Sequence, residues 1–304
     1  MTLSEIELHI ENIKSDSSLY GEKNFDERTD AIDFLEFHIL GQIDSLRSTE
    51  SDQGKWAELY HQAEKIKSQL EEIDNKLFQK LQQEISQGKY SGKEFESLVR
   101  EYVSFEGNNC EEEGYDNLDI FINRLLSLQY MPEQCMPLEP EMVFYQKTPA
   151  RVIFELVKEG GFKKDDVFFD IGSGLGQVVM LVNFLTDIRT VGVEFDPAFC
   201  KYSDECAAMF GLQDVTFINT DAREADYSLG TVFFMYTPFR GKMLQEVLEV
   251  LRKESLKREI RIITYGPCTT EVAGQGWLIS LSGNQFKTSR HAEFISAPHH
   301  KGLR

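Results

Sequence analysis

The stretch Val167–Gln177, V-F-F-D-I-G-S-G-L-G-Q, decides how this chain is read. An apolar run ends in Asp170, and three glycines follow at alternate positions, Gly172, Gly174 and Gly176. Gln177 then opens a segment of helical length. Glycines let the chain turn tightly and bring backbone N–H groups against a ligand, while the helix start adds partial positive charge. A nucleotide-type cofactor is implied. Dinucleotide-binding folds use the same device with G-x-G-x-x-G spacing, whereas the spacing here is G-x-G-x-G preceded by an acid.

Downstream, short runs rich in Val, Ile and Phe alternate with helix-length stretches, the rhythm of βα units around a largely parallel sheet. The pattern predicts strands over Val167–Ile171, Thr190–Glu194, Val215–Asn219, Thr231–Tyr236 and Ile260–Tyr265. Helices are predicted near Gln177–Leu185, Pro197–Phe210 and Gly241–Lys253. The tail Gly276–Ser296 reads as two or three short strands in an antiparallel hairpin on the sheet edge. In V-G-V-E-F-D-P, Glu194 ends the second strand, where a carboxylate accepts from both ribose hydroxyls and Phe195 lies against an adenine face. In N-T-D-A, Asp221 is placed to accept from the adenine amino group, with the Ala222 N–H donating to a ring nitrogen. Helix capping is the structural alternative for Asp196 and Asp221. Three features at three successive strand ends converge on one crevice, which fits adenosine.

These residues resemble those of the class I S-adenosylmethionine-dependent methyltransferases over roughly Phe144 to Ser296. The resemblance implies an α/β fold, a Rossmann-like seven-stranded methyltransferase sheet with a terminal β-hairpin, preceded here by an all-α domain. It makes Asp170 the acid that orients the glycine loop and the methionine part of the cofactor. A narrower resemblance is to the non-SET-domain histone-lysine methyltransferases of the disruptor of telomeric silencing type. Tyr145-Gln-Lys-Thr148, Asp170–Val179 (D-I-G-S-G-L-G-Q-V-V) and Gly192-Val-Glu194 carry it. It implies that Tyr145 and Thr148 close over the methionine part and that Gln177 touches it from the helix start. A loop aromatic and a helix N-cap before Pro149 account for the same two residues.

Where amine-methylating enzymes often carry N-P-P-Y/F, this chain reads Tyr236-Thr237-Pro238-Phe239. A tyrosine replaces the asparagine, so these four are candidates for an acceptor channel rather than assigned catalytic groups. With Phe144 and Tyr145 they provide apolar aromatic walls, which favour the neutral form of an amine acceptor. Plain packing also explains aromatic residues after a strand. The reading is therefore methyl transfer from S-adenosyl-L-methionine to an amine, a protein lysine first. The alternatives are a small-molecule acceptor and a catalytically silent fold used as an interaction module. His291, His299 and His300 lack partners at metal-ligand spacing, and no metal is expected.

The remaining half differs. From Leu3 to about Leu128 apolar residues recur at three and four, which predicts amphipathic helices. Ile32, Leu35, Phe37, Ile39, Ile43 and Leu46 serve one helix. Trp56 through Ile85 serve a longer one, whose seam fits a dimer zipper or packing inside the domain. The acidic cluster Glu111–Glu113 reads as a solvated turn. Tyr130–Pro140 holds three of eight prolines. The expected division is a helical domain over 1–130, a linker and cofactor-closing segment over 131–147, and the methyltransferase domain over 148–304.

Residues 1–150 carry 31 acidic against 14 basic side chains, and residues 151–304 carry 20 against 18, which accounts for nearly all of the net charge of −19. Such a balance disfavours nucleic acid as a partner, and the chain shows none of the basic segments that nucleosome binding uses. Five cysteines without regular spacing, a start unlike a signal peptide and no apolar run near 20 residues predict a cytoplasmic protein outside the membrane.

Overall fold

A computed structural model describes residues 1–46, 53–105, 114–283 and 286–298. The cluster Glu111–Glu113, His299, His300 and the end of the polar turn at Ser282–Asn284 lie outside them. The strands are β1 (Val167–Ile171), β2 (Arg189–Glu194), β3 (Val215–Asn219), β4 (Val232–Met235), β5 (Arg261–Thr264), β6 (Leu278–Ser280) and β7 (Ala292–Ser296). They form one seven-stranded sheet in the order β3-β2-β1-β4-β5-β7-β6. The first five pair in parallel, while β7 runs antiparallel between β5 and β6. Chain order reverses between β1 and β4, and that switch point opens a crevice beyond the strand ends.

The central strands are apolar on both faces because both are covered. Helix α10 (Gly241–Ser255) buries Met243, Leu244, Val247, Leu248 and Leu251 against Phe169, Ile171, Phe233, Met235 and Ile262. Helix α8 (Gln177–Thr186) is buried from Gln177 to Phe184, which explains its nearly continuous apolar sequence. Helix α7 (Ala150–Glu159) packs on α8, and α6 (Asn117–Leu125) packs on α7. Asp119 in α6 accepts the Ala150 N–H at 2.7 Å, supplying the start of α7 with an acceptor from another helix. Burial pushes that carboxyl up to about 6.

Two compact units emerge, Met1–Glu84 with Ser97–Ser104, and Ile85–Glu96 with Phe105–Arg304. The division thus falls earlier than the expected break at 130. The proline-rich segment stays with the sheet because Asp196 accepts the N–H groups of Cys135 and Met136 at 2.8 and 2.9 Å.

The first unit is helical as expected. Its core joins Ile6 and Ile10 of α1 (Leu3–Ser15) to Leu35, Ile39 and Ile43 and to Trp56, Leu59, Ala63, Ile66 and Leu70 of α4 (Gln53–Ser86). The seam on α4 is therefore spent on packing within the chain. One expectation fails here. The segment read as a single helix is α2 (Phe25–Asp33), a π-helical stretch over Phe34–Leu40, and α3 (Gly41–Leu46). Phe37 is 70% exposed while Leu35, Ile39, Leu40 and Ile43 are buried, because a residue two positions from Leu35 and from Ile39 falls on the opposite side of the helix. Arg28 of α2 is fully buried, donating to Asp74 of α4 at 2.6 Å and to the carbonyls of Leu19 and Gly21.

Candidate active site

The glycine loop follows β1 directly. The N–H groups of Gly172 and Ser173 donate to the Val193 carbonyl at 2.9 and 3.0 Å, which folds the loop back over β2. Gly172, Gly174 and Gly176 have φ of +80°, +53° and +76°, values that disfavour any side chain. Close approach excludes one as well. A Cβ on Gly172 would lie 2.4 Å from the Pro238 Cβ, and one on Gly174 would lie 2.0 Å from the Tyr145 ring. The loop is thus roofed by the two segments the sequence marks for cofactor closure and acceptor binding.

A cavity of about 260 Å³ opens beside this loop. Tyr145, Thr148, Asp170, Gly172, Gln177, Glu194, Phe195, Asp221 and Ala222 line it, as do Tyr236, Thr237, Pro238 and Phe239. Of the residues singled out for cofactor and acceptor, all but Gly174 and Gly176, which shape the loop behind it, line the cavity. Glu194 Oε2 accepts the Gly174 N–H and Oε1 accepts the Asp196 N–H, both at 2.8 Å. The ribose candidate therefore also braces the glycine loop. Burial raises the Glu194 carboxyl above the usual range, and its two N–H donors oppose that. Asp170 is 3% exposed, and burial, with the nearby Glu194 charge, pushes it up to about 8.

Two ambiguous acids separate. Asp196 caps α9 (Pro197–Met209), accepting from the Ala198 and Phe199 N–H groups. Asp221 lines the cavity, yet Arg223 donates to both of its oxygens and also reaches Glu139 Oε1 at 2.7 Å. Those hydrogen bonds hold the Asp221 carboxyl below the ordinary aspartate value. The sequence reading missed Arg223, and its position two residues after a candidate acid is the signal that marks it. It also missed the lining residues Met136, Leu138 and Met142, since an extended segment carries no periodicity to betray its buried face.

In the Tyr236–Phe239 turn, Thr237 sits at φ +42°, a left-handed conformation costly for a β-branched residue. Its hydroxyl donates to the Tyr265 carbonyl and accepts the Cys268 N–H, each at 3.1 Å, joining the turns after β4 and β5. The Tyr236 and Tyr265 rings lie 4.8 Å apart. Burial pushes the Tyr236 phenol up to about 12, so it is a neutral wall at ordinary pH.

The chemistry of the wall fits S-adenosylmethionine. Among the described residues, Ser173 Oγ and both polar atoms of the Gln177 amide are buried without a hydrogen-bond partner and belong to the cavity lining. Orphaned groups of this kind cost stability unless a ligand satisfies them. Two carboxylates, a glycine cradle and an aromatic neighbour complete a set suited to an amino acid joined to a nucleoside.

Sheet order, glycine cradle and wall together are those of the class I S-adenosylmethionine-dependent methyltransferase fold, and the wall is suited to S-adenosylmethionine. Residues 141–265, from the segment over the glycine loop through β5, match the family model for the histone methylation protein DOT1. Solved structures similar to this chain include an RNA methyltransferase from Salinibacter ruber in complex with S-adenosyl-L-homocysteine, at 24% identity and a TM-score of 0.39, covering 50% of this chain and 92% of that one. A SAM-dependent methyltransferase from Aquifex aeolicus is 16% identical, with a TM-score of 0.38, over 49% of this chain and 93% of that one. A ribosomal protein L11 methylase from Lactobacillus delbrueckii subsp. bulgaricus is 13% identical, with a TM-score of 0.37, over 50% and 79%. Among the described residues no helix is long and apolar enough to cross a membrane, and no group of His, Cys, Asp and Glu is arranged to hold a metal.

Proposed function

We propose that this chain transfers a methyl group to an amine, a protein lysine before a small molecule. The carrying observation is the match of residues 141–265 to a histone methylation family, together with the aromatic turn Tyr236–Phe239 at the same cavity. Bound S-adenosylmethionine supplies an electrophilic methyl group whose thioether leaves without needing an acid. The protein's part is to hold donor and nucleophile in line and to exclude water. We assign Glu194 to the ribose, Asp221 and Ala222 to the adenine edge with Phe195 beside it, and Asp170, Gln177, Tyr145 and Thr148 to the methionine part.

The acceptor wall formed by Met142, Phe144, Tyr236, Thr237, Pro238, Phe239, Met243 and Pro267 contains no carboxylate or imidazole. Its low polarity favours the neutral amine, which attacks the methyl carbon as the carbon–sulfur bond breaks and then gives its proton to water. Tyr236 stands where the amine-methylating pattern has an asparagine, basic segments for nucleosome binding are lacking, and acidic residues prevail in the first half, so the acceptor we favour is a basic protein other than a nucleosome. Five cysteines without regular spacing support a reducing, cytoplasmic setting.

Incubation with tritiated S-adenosylmethionine and a lysate tests this directly. Label in acid-stable lysine of protein is the expected result. Label confined to small metabolites moves the acceptor to that class, and retained cofactor affinity with no transfer at all would falsify the enzymatic reading in favour of an interaction module.

A further inference from the structure

The segment roofing the glycine loop is fastened to the acceptor wall at successive residues. Met142 forms an antiparallel bridge with Phe239, the Val143 N–H donates to the Pro238 carbonyl at 3.0 Å, and the Glu141 carbonyl accepts the Arg240 N–H at 3.0 Å. The Glu141 side chain adds a second kind of tie. Its Oε1 accepts the Lys242 N–H at 3.1 Å and its Oε2 the Met243 N–H at 2.6 Å. Those amides are the second and third of α10, and the residue at that helix's own cap position, Arg240, makes no side-chain capping bond. Glu141 therefore does from about a hundred residues upstream what an Asp or Ser at the cap does locally. Gly241 makes room for it, with φ +60° and space in which a Cβ would lie 2.6 Å from Glu141 Oε1. The two N–H donors hold the Glu141 carboxyl below the usual range, as an anion at a helix start requires.

We propose that Glu141 is a positioning residue that clasps the cofactor-closing segment to the first turn of α10, so that Tyr145 over Gly174 and Pro238 over Gly172 are set by one junction. Cofactor affinity then depends on how α10 begins, beyond the one side chain of that capped pair, Met243, that lines the cavity. The inference rests on the assignment of Tyr145–Thr148 to cofactor closure.

Three forms of the full chain test it, each titrated calorimetrically with S-adenosylhomocysteine and melted in its absence. Glu141→Ala lowers the melting temperature and weakens binding by roughly five- to tenfold, the scale of a lost cap. Glu141→Ala with Arg240→Asp gives α10 a local cap, so the melting temperature recovers while binding stays weak. Hydrogen exchange at residues 142–148 stays faster than in the unsubstituted chain in both variants. Recovery of binding along with melting makes Glu141 an ordinary cap and overturns the clasp, as does unchanged affinity in Glu141→Ala. Failure of the unsubstituted chain to bind overturns the cofactor assignment and the clasp with it.

Discussion

Asp170 is a buried acid beside a second acid, and its elevated proton affinity has two measurable consequences. In the free protein the carboxyl holds its proton up to about pH 8, whereas the ordinary aspartate value is 3.8. The unfolded chain releases that proton first, so this group's contribution to stability is full below about pH 4 and declines as pH rises to about 8. Asp170→Asn removes this decline, and its melting temperature at pH 8 exceeds that of the natural chain measured without cofactor. Binding a cationic amino group favours the carboxylate, so cofactor affinity rises with pH up to about 8 and binding releases a proton. Calorimetry in buffers of different ionisation enthalpy reads that proton, and a pH-independent affinity contradicts the assignment. At Gly174 the argument is steric. Gly174→Ala places a methyl 2.0 Å from the Tyr145 ring at φ +53°, so either the ring or the loop moves. The expected outcome is more than tenfold loss of S-adenosylhomocysteine affinity with the fold retained by circular dichroism.

Among the elements, the five parallel strands and helices α8, α9 and α10 follow the sequence within a residue or two, because their apolar runs match the burial the sheet imposes, whereas the sequence pattern names no helix over α7. The π-helical stretch at Phe34–Leu40 does not follow it. An i,i+3/i+4 pattern does not mark where one extra residue enters a turn, and Phe37, two positions from both Leu35 and Ile39, is exposed on the side opposite to them. Likewise, nothing in the helix propensity of α10 shows that its start is capped from Glu141. In the helical unit, the buried pair Arg28–Asp74 joins α2 to α4. Removing one partner leaves an uncompensated buried charge, so Asp74→Ala costs about 3–5 kcal/mol. Thermal denaturation followed by circular dichroism checks this as an early loss of helical signal, and an unchanged melt refutes it.

For the whole molecule, the net charge of −19 is concentrated in residues 1–150. Charge of one sign steers an oppositely charged partner at low ionic strength and is screened by salt. With a lysine-rich polypeptide as acceptor, KM therefore rises between low and high sodium chloride while kcat holds. With a neutral small amine, KM stays flat. A KM for the polypeptide that ignores salt removes the acidic half from substrate capture. The proposed acceptor wall of Met142, Phe144, Tyr236–Phe239, Met243 and Pro267 offers no carboxylate or imidazole, and the expected pH signature is a rate that climbs with pH toward the amine's own range near 10 without an enzyme base near 7.

Local chemistry by itself determined the glycine loop, the acids at the ends of β1 and β2, and the alternation of strand and helix, because each depends on neighbours in the chain. Tertiary structure alone decided that Pro238 and Tyr145 roof two of those glycines, that Arg223 occupies both oxygens of Asp221, and that Glu141 caps a helix a hundred residues away. Such pairings bring together atoms from distant parts of the chain, and residue type and spacing carry no record of them until the sheet has set where each strand ends.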